Sequence, residues 1–343
     1  MSFEIKDCSD RELWDSFITS DKSSNFLQSF DFYEFHASRG KKIIRRLFFD
    51  SKNALKPIGA YAGVIETAKR GKYLAIAGGP ILDWKNKTLV KEVFTDIKEI
   101  GKENKCVFVR VRPQLELSDK SLNLFKDLEL KKAPMYLSVE YAGILNLEKS
   151  EEEILAGASQ GFRRKYRKAL KNNLEFEVSN DEKAIQEFCN LEKKHASRQN
   201  YVAFSTDFLT KQFDAFKKNN EVLIFTAKKD QEILAMNFII FYGNEASYHY
   251  GVSSELGTKY PSAPVLHLMA MEEARKRGIT RYNLWGIVGT EEKSHRFYGV
   301  SEFKRSFGCE ELKYTPAHDL ILNKTKYLLN KTVETVRKRI RHV

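Results

Sequence analysis

The residues best suited to chemistry lie in the stretch from Tyr248 to Gly308. Lys304 stands among Phe297, Tyr298, Phe303 and Phe307. A lysine held against apolar surface can neutralise a developing oxyanion or a substrate carboxylate; the alternative is a lysine snorkelling from a strand edge. Ala246-Ser-Tyr-His-Tyr-Gly-Val252 reads as a strand running into a glycine turn, offering Tyr248 and Tyr250. Strict alternation puts His249 on the opposite face from both tyrosines, as a packed or exposed structural residue. Tyr282-Asn-Leu-Trp-Gly-Ile287 is a short apolar strand broken by a glycine and carries Trp285, while Phe297–Gly308 reads as an aromatic loop around the lysine. Earlier in the chain, Gly78-Gly-Pro-Ile-Leu-Asp-Trp84 forces a turn that leaves Asp83 near a strand end.

Other chemistries find little support. The seven histidines form no HxxxH or HxH pair, and no Gly-x-Ser-x-Gly elbow or Walker loop is present, so neither a metal site nor a cofactor is expected. Four cysteines without CxxC spacing suit a reducing cytoplasm. The start has no apolar run behind a basic end, and no run of ~18 apolar residues occurs, so a soluble cytoplasmic protein is the expectation, as a monomer.

The net charge of +12 calls for an anionic partner, whether RNA, a pyrophosphate-bearing substrate or an anionic membrane surface. Two segments concentrate that charge. Past Leu147 a helix beginning at Lys149-Ser-Glu-Glu-Glu-Ile and continuing to Asn173 puts Leu155, Ala158, Phe162, Tyr166 and Ala169 on one face, with Arg163, Arg164, Lys165, Arg167, Lys168 and Lys171 around the remainder. No acid interrupts it between Glu153 and Glu175, so it suits a phosphate backbone with salt-dependent binding; a solvated helix face competes with that reading. The second segment, Asn323–Val343, opposes one acid, Glu334, to cations that include Lys324, Lys326, Lys331 and Arg337, beside a narrow apolar stripe of Leu329, Val333, Val336 and Ile340. It fits either an anionic membrane surface or docking on its own domain.

These residues need elements to position them. With 42% hydrophobic residues, 343 residues can furnish two cores. Period and capping signals predict helices near 10–20, from 29, over 88–103, 118–128, 182–199, 206–217 and 265–277, and strands over 43–49, 58–68, 72–77, 106–112, 138–145, 174–178, 222–228, 232–242, 246–252 and 282–287. The second half repeats the plan of the first: helices, antiparallel strands, then strand, glycine turn, helix and strand. The predicted organisation is two mixed α/β domains, 1–146 and 147–322, followed by a basic helix over 323–343.

Phe26-Leu-Gln-Ser-Phe-Asp-Phe32, Gly79-Pro-Ile-Leu-Asp83, Arg163-Arg-Lys-Tyr-Arg-Lys-Ala169, Tyr248-His-Tyr-Gly251, Trp285-Gly-Ile287 and Phe303-Lys-Arg-Ser-Phe-Gly308 occur in this order along nearly the whole chain. In types and sequence they resemble the FemABX family of peptidoglycan bridge-forming, aminoacyl-tRNA-dependent peptidyltransferases, in its compact form. The resemblance implies two tandem GNAT-like acyltransferase domains and transfer of an aminoacyl group from charged tRNA to a stem-peptide amine of a UDP-linked or lipid-linked muropeptide. It implies that Lys304 and Phe303 contact the precursor or the transition state, with Tyr248, Tyr250 and Trp285 lining the site and Asp83 near the acceptor amine. Arg163, Arg164, Arg167, Lys168 and Lys171 become tRNA contacts. Where compact members hold the precursor pyrophosphate with a lysine, this chain has His36; Arg198 could supply the second charge, Ser205 stands where an arginine is expected, and Cys309 replaces a common glycine. Two other functions remain open. An acyl-CoA-dependent GNAT enzyme would need a glycine-rich pyrophosphate loop, which 253–263 lacks. A non-catalytic tRNA-binding protein would retain RNA affinity without transfer.

Overall fold

The computed structural model describes residues 2–69, 71–199 and 201–341. The chain forms two units. One comprises Met1–Tyr141, Glu292–Arg296 and Leu312–Val343, the other Ala142–Glu291 and Phe297–Glu311.

The first unit opens with β1 (Phe3–Asp7), α1 (Arg11–Ser20), α2 (Phe30–Ser38), β2 (Lys42–Asp50), β3 (Asn53–Ala68), β4 (Gly71–Gly78) and β5 (Ile81–Leu82). It continues through α3 (Lys87–Glu103), β6 (Cys106–Pro113), α4 (Asp119–Asp127) and β7 (Lys131–Lys132). Caps set the helix starts: Ser29 accepts a hydrogen bond from the first turn of α2, as the sequence predicts, and Asp10 and Asn86 do the same for α1 and α3. The hydrophobic stripe of α3, including Val93 and Ile97, packs on Leu74 and Val109 of the sheet. Gln28 of the Phe-Leu-Gln motif is structural. Its amide accepts from Ala62 N at 2.9 Å and donates to Ala77 O at 2.7 Å, stitching the segment before α2 to β3 and β4. Gly79 leaves room for it, since a Cβ there would lie 2.7 Å from Gln28 Cδ.

The second unit holds β8 (Tyr141–Asn146), α5 (Glu151–Gly157), α6 (Gln160–Lys171), β9 (Glu175–Ser179), α7 (Glu182–Gln199), α8 (Thr206–Lys217), β10 (Val222–Lys229) and β11 (Glu232–Tyr242). After these come β12 (Glu245–Ser253), α9 (Leu256–Lys259), α10 (Ala263–Lys276), β13 (Arg281–Gly286), α11 (Tyr298–Arg305) and β14 (Glu310–Lys313). The chain then returns to the first unit with β15 (His318–Ile321) and α12 (Lys324–Arg341).

The sheet orders are β1-β2-β3-β4-β6-β15-β7, with β5 alongside β3, and β14-β8-β13-β12-β11-β10-β9. Each unit carries a parallel pair joined through a helix, β4-α3-β6 and β12-α10-β13. In the second, α10 and α6 pack with Ile239 and Phe241, while Phe188 of α7 and Phe213 of α8 pack with Phe238, so alternation along β11 puts the two helix pairs on opposite faces.

Three expectations change. The predicted boundaries at 146/147 and 322/323 do not follow the units, because β8 lies in the second sheet and β15 pairs with β6. What draws β15 home is Asp319, fully buried and bound bidentately by Arg110 at 2.7 and 2.9 Å. The single helix from Lys149 to Asn173 is two helices, each with its own serine cap, Ser150 and Ser159, and Ala158 between them is extended. Phe297–Gly308 is not a loop but contains α11, closed by Gly308 at φ +75°, where a Cβ would strike Gly157 O at 2.4 Å.

Candidate active site

The two parallel strands of the second unit pair only from Glu245↔Arg281 to Ser247↔Asn283. Beyond that rung they part, and Asn283 explains why. Its amide donates to Glu245 Oε1 at 3.0 Å, which also accepts from Ser247 Oγ at 2.8 Å, so the last shared rung is clamped. Its carbonyl oxygen accepts from Trp285 N at 2.8 Å, turning β13 out of register. Trp285 consequently sits at φ 65°, a left-handed conformation that a bulky side chain adopts only under constraint.

Lys304 occupies this opening. Its helix, α11, delivers Nζ to Gly286 O at 2.8 Å, and the ammonium lies 5.6 Å from the centroid of the Tyr248 ring. The side chain is buried, with 6% of the residue exposed. No carboxylate among the described residues partners it, and burial pulls its amine down to about 7. This is not a snorkelling lysine. Phe303 packs near Phe307 and His267, which is fully buried between Tyr248 and Tyr282 and shares a hydrogen bond of 2.8 Å with the Tyr282 hydroxyl. Burial first, and Lys304 second, push His267 down to about 3, so its imidazole is neutral. Sequence reading missed His267 because a lone histidine within Val265-Leu-His-Leu-Met looks like any core position of α10.

A bulge corrects the faces of β12. Phe238 and Ile239 oppose Tyr250 and Tyr248, which leaves His249 as the extra residue. His249 and Tyr250 therefore share the face of α7 and α8, with ring centroids 3.9 Å apart and His249 Nε2 3.1 Å from Gln212 Nε2. Tyr248 alone turns towards Lys304 and α10. Gly251 makes that possible, because a Cβ there would fall 1.6 Å from the Tyr248 hydroxyl. Trp285 packs edge-on against His249 at 5.5 Å, and Tyr250 meets Phe204 at 5.2 Å. The structure thus divides the predicted aromatic residues: Tyr248 and Phe303 both meet His267, with Tyr248 facing Lys304, while Tyr250 belongs to a separate aromatic group on the other face.

The remaining predicted residues fall elsewhere. Arg198 donates to Ser253 O at 2.6 Å and approaches His195 Nδ1 at 3.0 Å, tying α7 to the end of β12. Arg163 folds back onto the carbonyls that end α5, with Ala156 O at 3.1 Å, leaving Arg164, Lys165, Arg167, Lys168 and Lys171 exposed on α6. In the first unit, Asp83 is exposed after β5 and accepts from Lys85 N at 2.9 Å. His36 of α2 is wedged against Phe32 and Phe35, both at 4.8 Å, and burial with Arg39 and Lys41 lowers it to about 4. It carries no charge at neutral pH and so does not replace a lysine electrostatically. Among the described residues no cluster of histidine, cysteine and acidic side chains could hold a metal ion.

The architecture can be set against known proteins. The FemAB family profile matches residues 10–231 and 220–335. The chain belongs to the FemAB family. It is accordingly a transferase. Among curated FemAB relatives, the lipid II:glycine glycyltransferase of Staphylococcus epidermidis is 22% identical over 338 residues, spanning 77% of this chain and 80% of that protein. The crystal structure of FemX superposes with a TM-score of 0.85 at 19% identity, over 96% of this chain and all of that one. A tandem GNAT protein from the clavulanic acid pathway gives 0.58 at 10% identity over 93% and 98% of the two chains. The fold is the tandem GNAT-like arrangement.

Proposed function

We propose that this FemAB protein transfers an aminoacyl group from charged tRNA to a stem-peptide amine of a lipid-linked peptidoglycan precursor. The observation that carries the reading is Lys304, buried with no carboxylate partner among the described residues and directed into the gap where β12 and β13 separate. The names of the curated relatives favour the lipid-linked acceptor over the UDP-linked one.

The reaction needs no covalent enzyme intermediate. The acceptor nitrogen attacks the ester carbonyl, the C–N bond forms, the C–O bond to the terminal ribose breaks, and the amine's proton ends on the ribose hydroxyl. An ester is already activated, so the protein's part is to position the amine and stabilise the tetrahedral oxyanion. The Lys304 ammonium is the donor for that oxyanion. Solvent exclusion around it strengthens the interaction, and an amine that titrates near 7 can return its proton as the intermediate collapses. The exposed cations of α6 receive the phosphate backbone of the donor, with affinity falling steeply as salt rises.

The test is single-turnover transfer from a radiolabelled charged-tRNA pool, glycyl-tRNA included, to lipid-linked and UDP-linked muropeptides, for wild type and Lys304→Ala. Label that reaches the lipid-linked acceptor, vanishes with RNase and drops in the variant supports the reading. Transfer from acyl-CoA instead of tRNA would replace the donor; tRNA binding with no transfer to either acceptor would make this a binding protein.

A further inference from the structure

The C-terminal helix α12 packs on the first unit through Tyr327, set against Val107 and Phe108, and through polar groups. Tyr327 and Asn330 are buried, Tyr327 donates to Asp319 at 2.9 Å, and Glu334 takes a hydrogen bond from Arg110 at 2.8 Å. A surface helix usually turns its aliphatic stripe to the core; the leucines of α12 lie off that side instead. Leu328, Leu329 and Val336 are 63%, 58% and 49% exposed, with Thr325 and Thr332 between them on the outward side.

The cations sit where this geometry gives them most effect. At 3.6 residues per turn, Lys324, Lys331 and Lys338 fall along one border of the outward apolar strip and Lys326 and Arg337 along the other. The only acid of the helix is turned inwards and paired, so the outward side carries no negative charge. An apolar strip bordered by lysines and arginines is the pattern of a helix lying in a lipid interface, its leucines among the acyl chains and its long cationic stems reaching back to the headgroups. No described helix is long and apolar enough to cross a bilayer.

We infer that the outward face of α12 docks the protein on an anionic lipid surface. The occupant is a bilayer rather than RNA because RNA has no use for the leucine strip, and a bilayer rather than a protein groove because charge flanks the strip on both sides. The inference does not depend on the transfer reaction.

The experiment is co-sedimentation of the full chain with phosphatidylcholine vesicles containing increasing fractions of phosphatidylglycerol, alongside Leu328→Gln/Leu329→Gln/Val336→Gln and Lys326→Gln/Lys331→Gln/Arg337→Gln. These side chains are exposed, so folding is kept, and thermal melting checks it. Partition should rise with the anionic fraction and fall with salt. It should drop about a hundredfold in the cation variant, at roughly fivefold for each charge removed, and about as far in the apolar variant. Binding unchanged in both folded variants, no preference for phosphatidylglycerol, or no vesicle binding at all would overturn the inference; a cation variant that loses only tRNA affinity would reassign the helix to nucleic acid.

Discussion

In the first unit the parallel strands β4 and β6 remain paired from Lys72↔Cys106 to Gly78↔Pro113; in the second, β12 and β13 separate after Ser247↔Asn283. The same strand-helix-strand plan is closed in one place and open in the other. Where it is closed, the charges beside it are engaged internally: Arg110 holds Asp319 and Glu334, and Arg112 is buried with Ser138 and Gln114. Where it is open, a buried lysine donates to a backbone carbonyl and faces a tyrosine ring, with neutral His267 nearby. Both copies pair buried carboxylates internally, Asp319 in one and Glu245 in the other, and the difference between them is the buried lysine held by a backbone carbonyl.

Changes in each unit should separate the role of the buried pair from that of the lysine. Arg110→Ala leaves Asp319 charged and buried, and should cost the first unit ~3–5 kcal/mol in denaturant unfolding while the single-turnover rate of molecules that remain folded changes little. A comparable loss of rate would abolish the distinction between the units. Lys304→Met should do the reverse, reducing transfer ~10²–10³-fold with the fold intact.

The pH profile sharpens that second case. An acceptor side-chain amine loses its proton progressively up to about pH 10, which raises the rate with pH, whereas Lys304 loses its ammonium above about 7. The two trends oppose, so the wild-type rate should climb to about pH 7 and then level, and the slower Lys304→Met rate should keep climbing. A wild-type profile without that plateau would remove Lys304 from the oxyanion role. Stability carries a matching signature. Because the folded amine is held below its ordinary value, the unfolded chain binds the extra proton between the ordinary value and about 7, so folding weakens as pH falls through that interval. Lys304→Met should remove this slope in pH-dependent melting.

A smaller effect is expected from Asn283→Ala, which releases Glu245 from one partner and Trp285 N from its acceptor, at ~1–3 kcal/mol. Its transfer rate should fall with little change in acceptor KM, since the separation of the strands is what it disturbs. Smallest is Arg164→Gln/Arg167→Gln on α6, which should flatten the salt dependence of tRNA binding by about two phosphate contacts and leave the pH profile unchanged.

Much of the scaffold was legible because local signals agreed with one another. The helices Glu182–Gln199 and Thr206–Lys217 match their predicted limits, since apolar periodicity, caps and chain composition point the same way. The site was legible in types more than in placement. Lys304 stands out as a cation among aromatics, but α11 did not, because its eight residues hold aromatics and a glycine that equally suit a loop. The bulge at His249 is invisible to an alternation rule, which assigns faces by counting and cannot register an extra residue. The return of β15 to the first sheet depends on a pair 209 positions apart, Arg110 and Asp319, and no local pattern announces it.

The break between α5 and α6 has a mechanical meaning. Ser159 N donates to Ser306 O at 2.8 Å, the Phe162 and Phe307 rings meet at 4.4 Å, and Gly308 lies against Gly157 O. The junction from which the cationic helix springs is thereby fastened to the end of the helix that carries Lys304. A continuous helix would have had no such joint. The start of α6 and the end of α11 are therefore one joint, and displacing either helix means breaking that hydrogen bond and ring contact.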